Sequence, residues 1–167
     1  CGFVDVAKKD SIDAILAATG ASKVHLFGHS LGGIIVRHAV EVGGAADRVA
    51  TAVTICAPHG GTPWADPARV LPGWAVLRTV SQLRVGSSLL RRIEEAARAT
   101  AESGRHAVRW VAFYANTDWV VPARRAQIRA GHDVTNVLLR DECHLSPVVT
   151  DVIAAHVAGV LAAHETA

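Results

Sequence analysis

The sequence predicts an α/β protein: a mostly parallel sheet of about four strands with flanking helices. Three observations support this. Short apolar runs at 23–27, 49–56, 108–114 and 134–139 alternate with helical stretches. These runs are compact and nearly unbroken, as strands covered on both faces are. The 167-residue length suits one domain around one core.

The elements follow in order. Residues 5–19 (DVAKKDSIDAILAAT) set Val6, Ile12, Ile15, Leu16 and Thr19 largely on one helical face, and Gly20 stops the helix. Residues 23–27 (KVHLF) read as a buried parallel strand. Gly28 to Gly33 form a glycine-punctuated turn, and 34–42 a second helix ending at Gly43-Gly44. Residues 49–56 (VATAVTIC), 108–114 (VRWVAFY) and 134–139 (VTNVLL) supply the other strands. A last helix is expected over about 147–164, with Pro147 where a first turn tolerates it. Residues 57–107 are too long for a simple crossover. They open with Pro58, Gly60, Gly61, Pro63, Pro67, Pro72 and Gly73, then carry helical stretches near 74–84 and 87–101.

Composition narrows the function classes. Half the residues are apolar, 19% are charged, and the net charge is +2. That balance excludes a disordered acidic tail and gives no support for nucleic-acid binding. No run approaches the roughly 18 apolar residues of a membrane span. Three cysteines (Cys1, Cys56, Cys143) are too few for a disulfide framework. Cys56 is expected to be a small buried residue, and no His/Cys/Asp cluster has zinc spacing.

Gly28-His29-Ser30-Leu31-Gly32 fits G-x-S-x-G, and it directly follows an apolar strand and opens a helix. A serine on so sharp a turn demands neighbours without a Cβ. Gly28 and Gly32 are expected to meet that demand, with Gly33 easing helix packing. Ser30 would then sit at the carboxyl edge of the sheet, where open α/β folds bind ligands and the helix N-terminus favours negative charge.

VHLFGHSLGG resembles the nucleophile elbow of the α/β-hydrolase superfamily, and APHGGTPWA resembles the segment after the next strand in bacterial lipases. The resemblance runs over nearly the whole chain, in order. It implies a serine hydrolase that cleaves carboxylic esters and needs no cofactor. In the family the order is Ser, then Asp or Glu, then His, each acid and base just past a strand. Asp118 follows the 108–114 run, with Val120, Val121 and Pro122 continuing a D-x-V-V-P pattern. His144 follows the 134–139 run, in Glu142-Cys143-His144. Asp141 rivals Asp118, but lies only three residues from His144. The Leu31 backbone N–H is the expected oxyanion donor. His59-Gly60-Gly61 comes after the nucleophile, so the resemblance implies a wall of the site for it and not the oxyanion loop.

The second oxyanion donor normally precedes the nucleophile, and only 29 residues precede Ser30. With no methionine in the chain, the expectation is a partial α/β-hydrolase fold, the C-terminal portion of a longer enzyme. Its first strand would present an apolar edge to water, leaving the piece poorly soluble or weakly active. Residues 57–107 would form a helical cap insertion within one domain, 1–167. Trp64, Trp74 and Leu77 are its candidate substrate-binding residues. Trp74, Leu77 and Val80 recur every three residues, with Arg78, Arg84, Arg91 and Arg92 on other faces. That pattern suits an amphipathic lid touching lipid or an acyl chain, or equally a cap packed permanently on the core. Glu94 and Glu95 are expected to pair with Arg98 at the surface. An acyltransferase or thioesterase on the same triad, or a non-catalytic module binding lipid or a partner, stays open. No calcium ligand set is legible. The resemblance implies bacterial export, while the sequence leaves the compartment open.

Overall fold

The structure, a computed structural model, describes residues 9–66, 79–104, 108–131, 133–149 and 151–165. Four strands, β1 (Val24–His29), β2 (Val49–Ile55), β3 (Arg109–Ala115) and β4 (Val134–Leu139), pair in parallel in the order β1-β2-β3-β4. The helices are α1 (Lys9–Thr19), α2 (Leu31–Glu41), α3 (Ser88–Ser103), α4 (Ala123–Ala126), α5 (Ser146–Val149) and α6 (Val152–Glu165).

Period-2 alternation divides the core between the two sheet faces. Ala52, Trp110 and Ala112 pack with Ile12 of α1 and Val36, Ala39 and Val40 of α2. Their neighbours Val53, Val111 and Phe113 face the other way, toward Ile153 and Val157 of α6. β2 is buried along its whole length, as its apolar run predicts.

β1 is not the buried strand that its apolar run suggests, but it fits the apolar edge also expected of it: His25 and Phe27 are exposed, Phe27 by 47%. Val24 and Leu26 pack toward the α1/α2 face. β1 is an edge strand among those described, and α6 packs at the β2–β3–β4 end of the opposite face. The second helix also starts earlier than expected, at Leu31, because the chain passes from Ser30 straight into α2. The expected last helix is two pieces, α5 and α6.

Within 57–107, α3 is a packed crossover helix. Its Leu90 and Ile93 close on Ile34 of α2. Ser87 caps it by accepting from the Leu90 N–H at 3.2 Å, and Gly104 ends it with φ 63°. Residues 79–82 are helical, within the expected 74–84 stretch, whereas Trp74 and Leu77 lie outside the described residues. The Glu94–Arg98 pair forms at 3.5 Å, but Glu94 also holds the buried Arg37 at 3.1 Å. The surface role expected for Glu94 is therefore incomplete, since α2 brings a cation that sequence spacing cannot reveal.

Candidate active site

Ser30 stands where β1 ends and α2 begins, with φ 52° and ψ −122°. Residues bearing a Cβ rarely occupy that region. The turn is fastened by the Ser30 N–H, which donates to the Ile55 carbonyl at 2.9 Å. The Gly33 N–H donates to the Ser30 carbonyl at 3.0 Å.

Two glycines are required by contact, and they are not the expected pair. A Cβ on Gly28 would lie 2.5 Å from the carbonyl carbon and oxygen of Gly32. One on Gly33 would lie 2.4 Å from the Ala57 Cβ, where α2 meets the end of β2. One on Gly32 would meet nothing within 4 Å. The demand expected at Gly32 thus falls on Gly33. Gly28→Ala should destabilise the protein by about 1–3 kcal/mol, since backbone cannot yield as a flexible side chain can. Gly32→Ala should be neutral or stabilise by up to about 1 kcal/mol through helix propensity. Urea denaturation of the two variants checks this; equal losses would refute it.

The structure brings Ser30, Asp118 and His144 together. His144 Nε2 lies 3.0 Å from Ser30 Oγ, and its Nδ1 lies 2.8 Å from Asp118 Oδ2. Asp118 follows β3 and is 6% exposed. Its Oδ1 accepts from the Val120 and Val121 N–H groups, each at 2.9 Å. Burial opposes its charge, but the hydrogen bonds from His144, Val121 and Val120 outweigh that and hold its pKa below the usual carboxylate value.

Several supports were not found from sequence. His29 Nε2–H donates to the His144 carbonyl at 2.8 Å, and the two rings lie 5.0 Å apart. The Thr117 hydroxyl donates to the Glu142 carbonyl at 2.5 Å, and the Asp141 N–H to Asn116 Oδ1 at 2.7 Å. These bonds tie the acid loop to the histidine loop. The one sequence signal was position, since each of these residues flanks a candidate. Asp141, the rival acid, is exposed with φ 60° and not at the ring. His59 is buried and shares a 2.9 Å hydrogen bond with Thr54 Oγ1. His106 and His132 lie outside the described residues.

Cys56, Asp118 and His144 offer three donor atoms within 4.8 Å of one another, the one such metal-competent group among the described residues. Its chemistry favours a hydrogen-bonded relay. Burial and the Asp118 charge push the Cys56 thiol up to about 12, so the S–H donates to Asp118. Both Asp118 oxygens are already engaged, Oδ1 by the Val120 and Val121 N–H groups and Oδ2 by His144.

A family model described as alpha/beta hydrolase fold matches residues 3–84. Among solved structures, the chain is similar to the Bacillus licheniformis lipase BlEst2, with a TM-score of 0.70 and 18% identity. That match covers 93% of this chain and 71% of the lipase. The chain thus matches the alpha/beta hydrolase fold over residues 3–84, and its parallel sheet with flanking helices is part of that fold. Curated relatives add a local likeness. A triacylglycerol lipase from Pseudarthrobacter phenanthrenivorans is 47% identical over 55 residues, 33% of this chain and 17% of that protein. One from Vibrio cholerae is 39% identical over 71 residues, 42% of this chain and 22% of that protein. The matches thus span less than a quarter of those relatives' lengths.

Beside this candidate site stands an exposed aromatic pair. Trp64, a sequence candidate, is 58% exposed, and Trp119, next to Asp118, is 70% exposed. Their rings meet edge to face at 5.8 Å, and Trp64 Nε1–H donates to the Trp119 carbonyl at 2.8 Å. Thr62 ties the same loops, donating to the Val120 carbonyl at 2.6 Å.

Proposed function

We propose that this chain carries the catalytic machinery of a carboxylic-ester hydrolase of lipase or esterase type. The observation that supports it most is the unbroken relay from Ser30 Oγ through the His144 ring to Asp118 Oδ2, at 3.0 and 2.8 Å. Neutral His144 accepts the hydroxyl proton at Nε2 as Ser30 Oγ bonds to the ester carbonyl carbon. Asp118 holds Nδ1–H and stabilises the imidazolium. The carbonyl oxygen becomes an oxyanion, to which the Leu31 N–H at the start of α2 donates. The intermediate collapses, the carbon–alkoxy bond breaks, and His144 returns its proton to the leaving alcohol. Water, deprotonated by the same ring, then cleaves the acyl-serine and frees the acid.

Trp64 and Trp119 supply an exposed aromatic surface beside the acid, suited to an acyl chain or lipid surface. Trp74, Leu77 and the cap or lid role of the 57–107 insertion belong to this reading as well.

A fluorophosphonate probe tests it, because the reagent traps only an activated serine. Wild-type protein should be labelled and Ser30→Ala should not. Labelling that survives Ser30→Ala, or a wild-type protein that resists the probe, would refute the assignment.

A further inference from the structure

Away from the triad, a cavity of about 380 Å³ opens between α2, α3 and the loop around α4. Five arginines are among its lining residues, Arg37, Arg91, Arg124, Arg125 and Arg129, against one acid, Glu94. The chain has 17 basic residues and a net charge of only +2, so this concentration is local. None of Ser30, Asp118 and His144 lines the cavity.

Backbone carbonyls hold the arginines in place. Arg125 donates to the Gly60 carbonyl at 2.8 Å, Arg91 to Gly86 at 2.5 Å, and Arg129 to Arg124 at 3.0 Å. Arg37, 2% exposed, donates one nitrogen to Glu94 and to the Ala130 carbonyl. Three buried nitrogens of lining residues have no partner among the described residues: Arg37 Nε, Arg125 Nε and His59 Nδ1. Arg37 Nε and Arg125 Nε are N–H groups, and a buried N–H without an acceptor is costly, so two of them in residues that line a cavity of matching charge favour an acceptor there. Burial and the Arg37 charge keep His59 neutral, so the ring adds polarity without more charge.

We propose that this cavity binds a phosphate group, carried by a small soluble ester or by a lipid headgroup. Five arginines gathered from α2, α3 and the α4 loop around one cavity suit a multi-oxygen anion, whereas one carboxylate is satisfied by a single fork. The volume lies within the range of small-ligand sites. The deepest groups, Arg37 and His59, are 2% and 5% exposed, which favours a compact group over a flat acidic surface.

Calorimetric titration with inorganic phosphate and glycerol 3-phosphate, beside vesicles of phosphatidic acid or phosphatidylcholine, tests this. Saturable binding of either soluble phosphate, or of phosphatidic acid vesicles over phosphatidylcholine, is expected, and identifies the source. The Arg124→Gln/Arg129→Gln protein, altered at two exposed positions, should bind at least about tenfold more weakly and hydrolyse short esters at the wild-type rate. The proposal is overturned if neither phosphate source binds. It is also overturned if equal ionic strength of acetate or an acidic peptide does as well, or if the double variant binds unchanged.

Discussion

Asp118→Asn should lower kcat for ester hydrolysis by about 10⁴-fold, the scale of amidating the corresponding acid in a serine protease. The reason is the direction of one hydrogen bond. Asp118 Oδ1 accepts from the Val120 and Val121 N–H groups, so an asparagine would keep its carbonyl oxygen there. Its NH₂ would then face His144 Nδ1 at the place of Oδ2. An NH₂ group donates, which forces the ring proton onto Nε2. That nitrogen then has no lone pair for the Ser30 hydroxyl. Steady-state kinetics with a p-nitrophenyl ester should show the loss in kcat, with KM little changed. A loss below tenfold would remove Asp118 from the relay. The lowered Asp118 pKa also contributes stability. That contribution is present above the ordinary carboxylate value and is lost as pH falls through the lowered one.

Glu94→Leu should destabilise the protein by about 3–5 kcal/mol, the usual cost of stranding a buried charge. Arg37 is 2% exposed, and Glu94 is its carboxylate partner at 3.1 Å. Desolvation already lowers the Arg37 pKa, with Glu94 and Glu41 opposing it. Removing Glu94 leaves the guanidinium with the Ala130 carbonyl at 3.0 Å, which cannot neutralise it. The double variant Arg37→Met/Glu94→Leu should recover most of the loss, because the stranded guanidinium is gone, less what Glu41 loses with the Arg37 cation. It should fall short by about 1 kcal/mol for the Ala130 carbonyl left without its donor. Urea denaturation of both variants checks the contrast. A single variant as stable as the double would show that the pair is a surface ornament.

The four strands, their order along the chain and the alternation with helices were legible in the sequence, because apolar period and glycine placement are local properties. Ser30, Asp118 and His144 were legible as well, since each sits just past a strand in a fixed sequence order. Which glycine must lack a Cβ was not legible. Gly33 meets Ala57 across 24 positions of chain, and only the packing of α2 on β2 reveals it. The exposure of Phe27 follows from β1 lying at the edge of the described sheet, an edge expected from the resemblance and not from the apolar pentapeptide itself. The thiol of Cys56 on Asp118, the ring of His29 under the His144 carbonyl and the five arginines around one cavity all join residues distant in sequence. Local chemistry therefore specified the elements and named the side chains that meet at the candidate site. Tertiary contact alone decided which charges are buried, which donors lack partners and which turns have no room, because those are properties of the space between elements.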